Sequence, residues 1–453
     1  MAATRLAPAP LKLETTARAL WALALPIIFA EASEIVVETT DIALLARFGT
    51  LELGAVGLAA AIYEVLVFGA FGLADGIQIV AARRAGQERA AGIGDAFFHG
   101  ASLMAVAAVV LFGVLEFALP WTTRWIVQSD GVRAAVNDYL RILACAAVFH
   151  CLNMAYSALY IGIGRTRLLI GATLTLAATN IVCACLLIFG LFGLPRLGIR
   201  GAAAGSLIAE IVAFVFFTVR TVRNGDARRF DLFRPRPLNW SLARVLLTIS
   251  WPAALERLVG TVRWLVFFVL LEHLGEITLA IGNVVHAVYA ILLLPVGGFA
   301  EAVCTTVSNL LGQEREVAIG RLTRRAAGWT GLLVLPAVAL TVLAPGLPLS
   351  LFTSDPELVT AAAGSLRVVC IALVVVIPGE MAFGALAGTG DTRRTLVTEL
   401  LLAAAMLWAA YAAGVLLALP LEAVWGSEVL GWFLCLLVSS AWLRRERWSQ
   451  RSI

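Results

Sequence analysis

The chain has 453 residues, of which 61% are hydrophobic and 14% are charged, and its mean hydropathy is +0.92. Soluble globular domains are roughly half apolar and a quarter charged, so this composition excludes an ordinary soluble protein and indicates a polytopic membrane protein. The formal net charge of +4 is modest, which favours orientation in a membrane over binding to nucleic acid.

Twelve segments have the length of about 20 apolar residues that crossing a bilayer requires. In chain order we expect them at about 19–46, 56–82, 96–119, 135–162, 168–191, 199–222, 243–272, 279–311, 324–344, 364–388, 393–418 and 422–443. No short apolar region with a small-residue cleavage site precedes the first segment, so we expect residues 1–18 to be a tail rather than a removable signal peptide.

The basic residues predict the orientation, because loops rich in Lys and Arg stay cytoplasmic. Alternating the loops places about 25 of the 34 basic residues on the side of the two termini, so both ends are expected in the cytoplasm. The longest polar stretch, "RTVRNGDARRFDLFRPRPLNWSLAR", predicts a basic linker at 223–242. It separates a predicted N-terminal six-helix lobe, 1–222, from a C-terminal six-helix lobe, 243–453.

The two halves are related by an internal repeat. A shift of 226 positions aligns Pro26 with Pro252, "GLAD" (72–75) with "GFAE" (298–301), "GQER" (86–89) with "GQER" (312–315), and "GIGRTR" (162–167) with "GTGDTR" (388–393). Each half has six spans, so both halves begin on the same face of the membrane and the repeat is parallel. Two such lobes suit alternating access. The paired prolines predict a shared bend and are candidate hinges.

The first segment carries an unusual stripe of acids in "EASEIVVETTD". On a helix, Glu31, Glu34, Glu38 and Asp41 fall within an arc of roughly 80°. A charged acid at the centre of a lipid-facing helix costs roughly 2.5 to 3.5 kcal/mol even on insertion scales. The stripe is therefore expected to face the protein interior or a wet cavity, or to be partly protonated.

Further charged residues lie inside other segments and outnumber the available arginines. They are Glu64, Asp75, Glu210, Glu256, Arg257, Arg263, Glu301, Glu380 and Glu399. We assign Glu210, Asp75, Glu301, Glu256, Arg257 and Arg263 to the substrate cavity or to pairing between the lobes. Arg257 is the repeat equivalent of Glu31, which predicts a Glu31–Arg257 contact. One alternative is that these charges only form interlobe salt bridges that set helix register. The other is that the stripe exchanges protons or a cation.

The cysteines and histidines predict no metal site. The seven cysteines lie in apolar segments and are expected to pack as small hydrophobic side chains. His99, His150, His273 and His286 have no metal-ligand spacing and are interpreted as helix histidines with satisfied hydrogen bonds.

Several stretches resemble the MATE (multidrug and toxic compound extrusion) family, in the same order along the chain. "LALPIIFAEASEIVVETTDIALLARFG" resembles its first helix, "YLRI", "GIGRTRLLIGA", "TNIVCACLLIFG" and "GIRGAAAG" resemble its fourth to sixth helices, and "LAIGNVVHAVYAILLLPVGGFAEAVCTTVSNLLGQ" resembles its eighth. The resemblance implies an all-α, V-shaped membrane protein of two six-helix lobes that works by alternating access. It also implies export of organic, usually cationic compounds in exchange for H⁺ or Na⁺, without a cofactor.

The resemblance also assigns functional residues and shows departures. It implies that Asp41 and Asn180 are functional, whereas Val37, Ala184 and Gly260 stand where some members have a cation-binding Tyr, an Asp and a Glu. We therefore expect proton coupling through Asp41 and the stripe in preference to Na⁺.

Competing functions remain open. A lipid-linked saccharide flippase of the same superfamily is the nearest alternative, supported by Arg257 and Arg263 but opposed by the acidic surplus. A passive channel suits a duplicated chain less well. No HExxH, paired histidine cluster or GxSxG motif occurs, so no enzyme is predicted. The expected partners are a small-molecule substrate and the lipid bilayer, the expected location is a bacterial inner membrane, and a monomer can suffice.

Overall fold

The computed structural model describes residues 11–445, so the first ten residues of the predicted tail lie outside the described range. Within that range the chain is helical and has no strand. The twelve long helices are α1 Ala17–Phe48, α2 Thr50–Gly86, α3 Ala90–Gly113, α4 Asp130–Gly162, α5 Arg167–Phe189, α6 Ile199–Arg223, α7 Trp240–Leu274, α8 Glu276–Gly312, α9 Ile319–Leu343, α10 Pro356–Gly388, α11 Thr392–Tyr411 and α12 Ser427–Arg444.

Shorter helices extend or join these elements. A π-helix, Val114–Ala118, and the helix Leu119–Ile126 prolong α3, and a second π-helix, Ala412–Leu416, prolongs α11. Asp226–Arg229 lies in the connection between α6 and α7, and Leu421–Trp425 precedes α12.

The predicted spans correspond to these helices. Eleven helices among the described residues are long and apolar enough to cross a membrane. The remaining one, α7, has 35 residues and a length of about 52 Å, although it carries Glu256, Arg257 and Arg263. The helices α2, α3 and α10 begin well before the predicted segments, because helical hydrogen bonding continues past the apolar core into polar ends.

The backbone repeats its turns at equivalent positions of the two halves. Each "GQER" motif ends a helix, as the sequence predicts, and its glutamate adopts a left-handed conformation: φ is 57° at Glu88 and 60° at Glu314. The next turns repeat as well, with φ of 71° at Gly164 and 81° at Gly390. These matched conformations support the internal duplication.

The two larger apolar cores lie one within each group of six helices, and a smaller third cluster lies between α2, α3, α7 and α8. Tyr139, Tyr160 and Phe217 belong to the first core, and Phe267 and Trp425 belong to the second. The first turns of α1 cross to the second core through the buried residues Leu20, Leu23 and Ala24. The start of the chain therefore packs against both lobes, and the lobe boundaries drawn from the sequence stay a prediction.

Small residues bring the lobes together along α2 and at the ends of α2 and α8. A side chain on Gly72 or Gly76 of α2 would meet Ser250 and its neighbours on α7 at less than 3 Å. At the ends of α2 and α8, Gly86 contacts its repeat equivalent Gly312. Backbones approach this closely because at least one of the two helices has a glycine at each contact.

Polar side chains reinforce this junction. The Arg83 guanidinium donates to the carbonyls of Ser308 (3.1 Å) and Thr389 (3.0 Å), and the Ser308 hydroxyl donates to the carbonyl of Ile79 (2.7 Å). Asn309, the repeat equivalent of Arg83, donates to the carbonyl of Ala82 at 3.1 Å. Arg83 of the first lobe thus bonds to the second lobe, and its repeat equivalent Asn309 bonds back to the first.

Pro26 and Pro252 lie inside α1 and α7 and are both buried. Their placement agrees with a shared bend, since proline removes one helical hydrogen bond. Their use as hinges stays a prediction.

Candidate functional site

The acids of the α1 stripe face different neighbours along the helix. Asp41 is buried, Glu31 is half-buried, and Glu34 and Glu38 are exposed. A carboxylate oxygen of Glu31 lies 3.7 Å from the position that a side chain on Gly297 of α8 would occupy. Among residues 11–445, no Lys, Arg or His nitrogen lies within 4 Å of these four carboxylates. The stripe is therefore not neutralised by direct ion pairs within the described chain.

Asp41 meets Asn180 inside the first lobe. The Asn180 amide donates to Asp41 Oδ2 at 3.5 Å and to Ser206 Oγ at 3.1 Å, which joins α1, α5 and α6. Asp41 is 7% exposed and Asn180 is 1% exposed. Tyr139 of α4 lies close enough to Asp41 and Glu38 for the charges of both carboxylates to act on its phenol group. The structure thus brings together the two residues that the family resemblance selected, 139 positions apart.

Ala184 lies one turn after Asn180 and shows why no second carboxylate joins Asp41 on α5. It is fully buried against Gly205 of α6, where an added side chain would approach the Ala184 backbone nitrogen to 2.9 Å. The small residues Ala184 and Gly205 let α5 and α6 approach closely here. The departure from the family pattern is accommodated by packing.

A second polar cluster lies in the first lobe. His150 Nδ1 contacts Glu210 Oε1 at 2.9 Å, and Asn153 Nδ2 donates to Glu210 Oε2 at 2.7 Å. Glu34 of the stripe lies within electrostatic range of His150 and Glu210. The sequence offered no signal for the His150–Glu210 contact, because the two residues are 60 positions apart on different helices.

Between the lobes, Arg257 pairs with Asp75. The guanidinium binds the carboxylate in a bidentate way, with Nε–Oδ2 at 3.0 Å and Nη2–Oδ1 at 2.9 Å. The expected Glu31–Arg257 contact is wrong, because the glycine-lined contact of α2 with α7 places Asp75 directly against Arg257. Glu256 and Glu301 are half-buried nearby, and both lie within electrostatic range of Asp75.

Arg263 holds two acids inside the second lobe. Its guanidinium lies 3.3 Å from Glu399 Oε1 and 3.4 Å from Glu428 Oε1, and all three side chains are buried. These partners belong to the same lobe, so Arg263 does not pair across the interface. Glu428 was missed from the sequence because it lies in the first turn of α12, where an acid is ordinary.

The MatE family model matches this chain twice, at residues 26–186 and 252–410. The two matches begin at Pro26 and Pro252, the positions that the internal repeat aligns. The chain belongs to the MatE family. Its members are transporters, so this MATE protein is not an enzyme, as the sequence predicted.

Curated relatives of this MATE chain include proteins named "Probable multidrug resistance protein NorM". The one from Aromatoleum aromaticum is 27% identical over 366 residues, covering 79% of this chain and 77% of the relative. The one from Deinococcus radiodurans is 29% identical over 411 residues, covering 87% of each. An "Uncharacterized transporter YisQ" from Bacillus subtilis is 22% identical, and the alignment covers 96% of this chain and 95% of the relative.

Solved structures share the whole MATE fold. A multidrug resistance MATE family transporter of the MOP superfamily, in an outward-facing conformation, matches with a TM-score of 0.89 and 20% identity, covering 99% of this chain and 100% of the other. A MOP superfamily transporter from Pyrococcus furiosus, described by the reverse polarity of its binding pocket, matches with a TM-score of 0.86 and 20% identity, covering 96% and 97%. The predicted all-α, two-lobed, multi-pass membrane fold is confirmed.

Proposed function

We propose that this MATE chain is a secondary active antiporter that exports organic cations in exchange for protons, with Asp41 as the principal coupling group. The supporting observation is the setting of Asp41. Its carboxylate is buried, accepts one long hydrogen bond from Asn180, and has no basic nitrogen of residues 11–445 within 4 Å. A buried carboxylate without a counter-charge favours neutralisation by a proton or a cation. When both compete for one carboxylate, binding of one favours release of the other.

The surroundings of Asp41 favour the proton over Na⁺. The Asn180 amide nitrogen, a donor, contacts both Asp41 and Ser206, and the position one turn after Asn180 holds only the methyl group of Ala184. A hard metal cation requires several oxygen ligands around it, whereas a proton requires one. The transported ion is cargo, and we propose that no resident cofactor takes part.

A cationic substrate fits the charge of the first lobe. Glu31, Glu34 and Glu38 add acids next to Asp41, and no basic nitrogen of the described chain pairs with them. A saccharide-diphosphate flippase requires unpaired cations in its cavity. Here Arg257 is held by Asp75, and Arg263 is held by two glutamates. This pairing counts against the flippase.

The proposed location is a bacterial inner membrane with both termini in the cytoplasm, as a single chain. The bacterial NorM relatives and the excess of basic residues on the side of the termini support it. The duplicated chain already supplies both lobes.

The function is tested with everted membrane vesicles and a fluorescent organic cation. Vesicles with an acidic interior should accumulate the dye, and Asp41→Asn should abolish this accumulation at normal expression. Asp231→Asn is the matched control, since Asp231 lies in the connection before α7 with φ of 53°, a conformation that Asn tolerates. Dye transport that requires Na⁺ and ignores the pH gradient would refute proton coupling.

A further inference from the structure

The His150–Glu210 cluster is built as tightly as the Asp41 site and is separate from it. Both carboxylate oxygens of Glu210 are engaged, Oε1 by His150 and Oε2 by Asn153, and Asn153 also donates to the Glu210 carbonyl at 2.9 Å. The His150 side chain is 25% exposed and that of Glu210 is 14% exposed. The carboxylate is thus held in one orientation, and the His150 ring stays partly exposed.

Four helices contribute to this cluster. Glu34 approaches from α1 and Tyr63 from α2, with the Tyr63 ring 6.4 Å from the imidazole, while His150 lies on α4 and Glu210 on α6. Cys151 is a further titratable neighbour, close to Glu210. His150 is the one group among these that can carry positive charge. One imidazole therefore faces two carboxylates and cannot balance both.

The hydrogen bond defines which nitrogen can take up a proton. When Glu210 is ionised its oxygens can only accept, so in that state the hydrogen of this bond lies on His150 Nδ1 and Nε2 is the nitrogen that can take up a proton. A proton that binds Nε2 makes an imidazolium paired with Glu210, and loss of the same proton restores the neutral ring. An unperturbed histidine titrates at about pH 6.5, within the physiological range.

The cluster lies beside the proposed transport path. Glu34 precedes Asp41 by seven residues, or about 10.5 Å along α1, and Glu38 lies between them. A substrate cation at Glu34 would repel an imidazolium at His150, so binding of one favours release of the other. Substrate and proton therefore compete here as they do at Asp41, but the substrate cation binds at Glu34 and the proton binds at His150.

We propose that His150 and Glu210 form a second proton-binding site, which releases its own proton when a cationic substrate binds near Glu34. This inference rests on the proposed proton antiport and extends it, because it assigns the lobe two proton sites. The alternative is that the His150–Glu210 bond only ties α4 to α6.

The direct test measures protons released when tetraphenylphosphonium is added to the purified full-length protein in weak buffer with a pH indicator. Wild type should release more protons than Asp41→Asn. Asp41→Asn should still release some, and Asp41→Asn with His150→Gln should release none. His273→Gln is the matched control, since its side chain is 76% exposed at the end of α7, and it should match wild type.

Each contrary result is informative. If Asp41→Asn binds the probe but releases no proton while wild type does, the second site is refuted and Asp41 coupling stands. If the double variant releases as many protons as Asp41→Asn, the second site is also refuted. If wild type releases none, the proton antiport itself fails.

Histidine NMR provides a measurement that does not depend on probe binding by the variants. The chain has 4 histidines, so ¹⁵N-imidazole spectra are simple, and His150→Gln assigns the signal. The His150 signal should titrate, and Glu210→Gln and Glu34→Gln should each move its midpoint. A His150 signal that does not titrate, or that neither glutamate variant moves, would refute the site.

Discussion

Arg263→Met should destabilise the second lobe, because it removes the cation between two buried acids. Arg263 is 7% exposed, Glu399 is 5% exposed and Glu428 is fully buried. Removing one partner of a buried ion pair costs about 3 to 5 kcal/mol, because the remaining charge stays buried and unpaired. The two N–O distances of 3.3 and 3.4 Å are long for such pairs, so we expect a loss near the lower end, about 3 kcal/mol.

The free energy of unfolding can be measured by reversible SDS titration in mixed micelles, followed by tryptophan fluorescence. Trp264 reports on the site directly, since the Arg263 guanidinium lies 5.4 Å from its ring. The loss should shrink in acid, because protons then neutralise the unpaired carboxylates.

Two variants decide whether charge is the cause. Adding Glu399→Gln and Glu428→Gln to Arg263→Met should restore most of the lost stability, because no unpaired charge then remains. Arg244→Met, at an exposed position in the first turn of α7, should leave stability within about 0.5 kcal/mol. A loss below about 1 kcal/mol for Arg263→Met, or no recovery in the triple variant, would refute the reasoning.

Three further predictions concern the junction of the lobes. Gly86→Ala places a methyl group 2.0 Å from the carbonyl oxygen of Asn309, so spin labels across this junction should move apart by EPR. Asn309→Ala removes the hydrogen bonds to the carbonyl of Leu11 and the amide of Leu13, so trypsin should cleave after Lys12 faster. Asp75→Arg and Arg257→Asp should each reduce export, and the double swap should restore it, because the bidentate pair re-forms in reverse.

The controls for these predictions follow from the same contacts. Gly320→Ala meets open space and should leave the EPR distances unchanged, and the exposed Asn224→Ala should not alter cleavage. Unchanged distances in Gly86→Ala, unchanged cleavage in Asn309→Ala, or a double swap no better than either single variant would contradict the respective prediction.

The sequence by itself determined the membrane class, the helices and the duplication. A backbone in lipid must satisfy its hydrogen bonds within each segment, so length and hydropathy suffice to predict where helices lie. The repeat followed from residues such as Pro26 and Pro252, which the family model matches independently. The Asp41–Asn180 site came from resemblance, since no periodicity links residues on α1 and α5.

Only the tertiary structure decided which charges meet. Arg257 was expected at Glu31 because of the repeat, yet it binds Asp75, since glycines let α2 approach α7 closely. The His150–Glu210 contact likewise arises where α4 and α6 pack, 60 residues apart. Hydropathy indicates that a helix lies in the membrane but not which neighbour each face meets. That choice depends on close packing of small side chains distant in the sequence, and it determines which acids are left to bind protons or substrate.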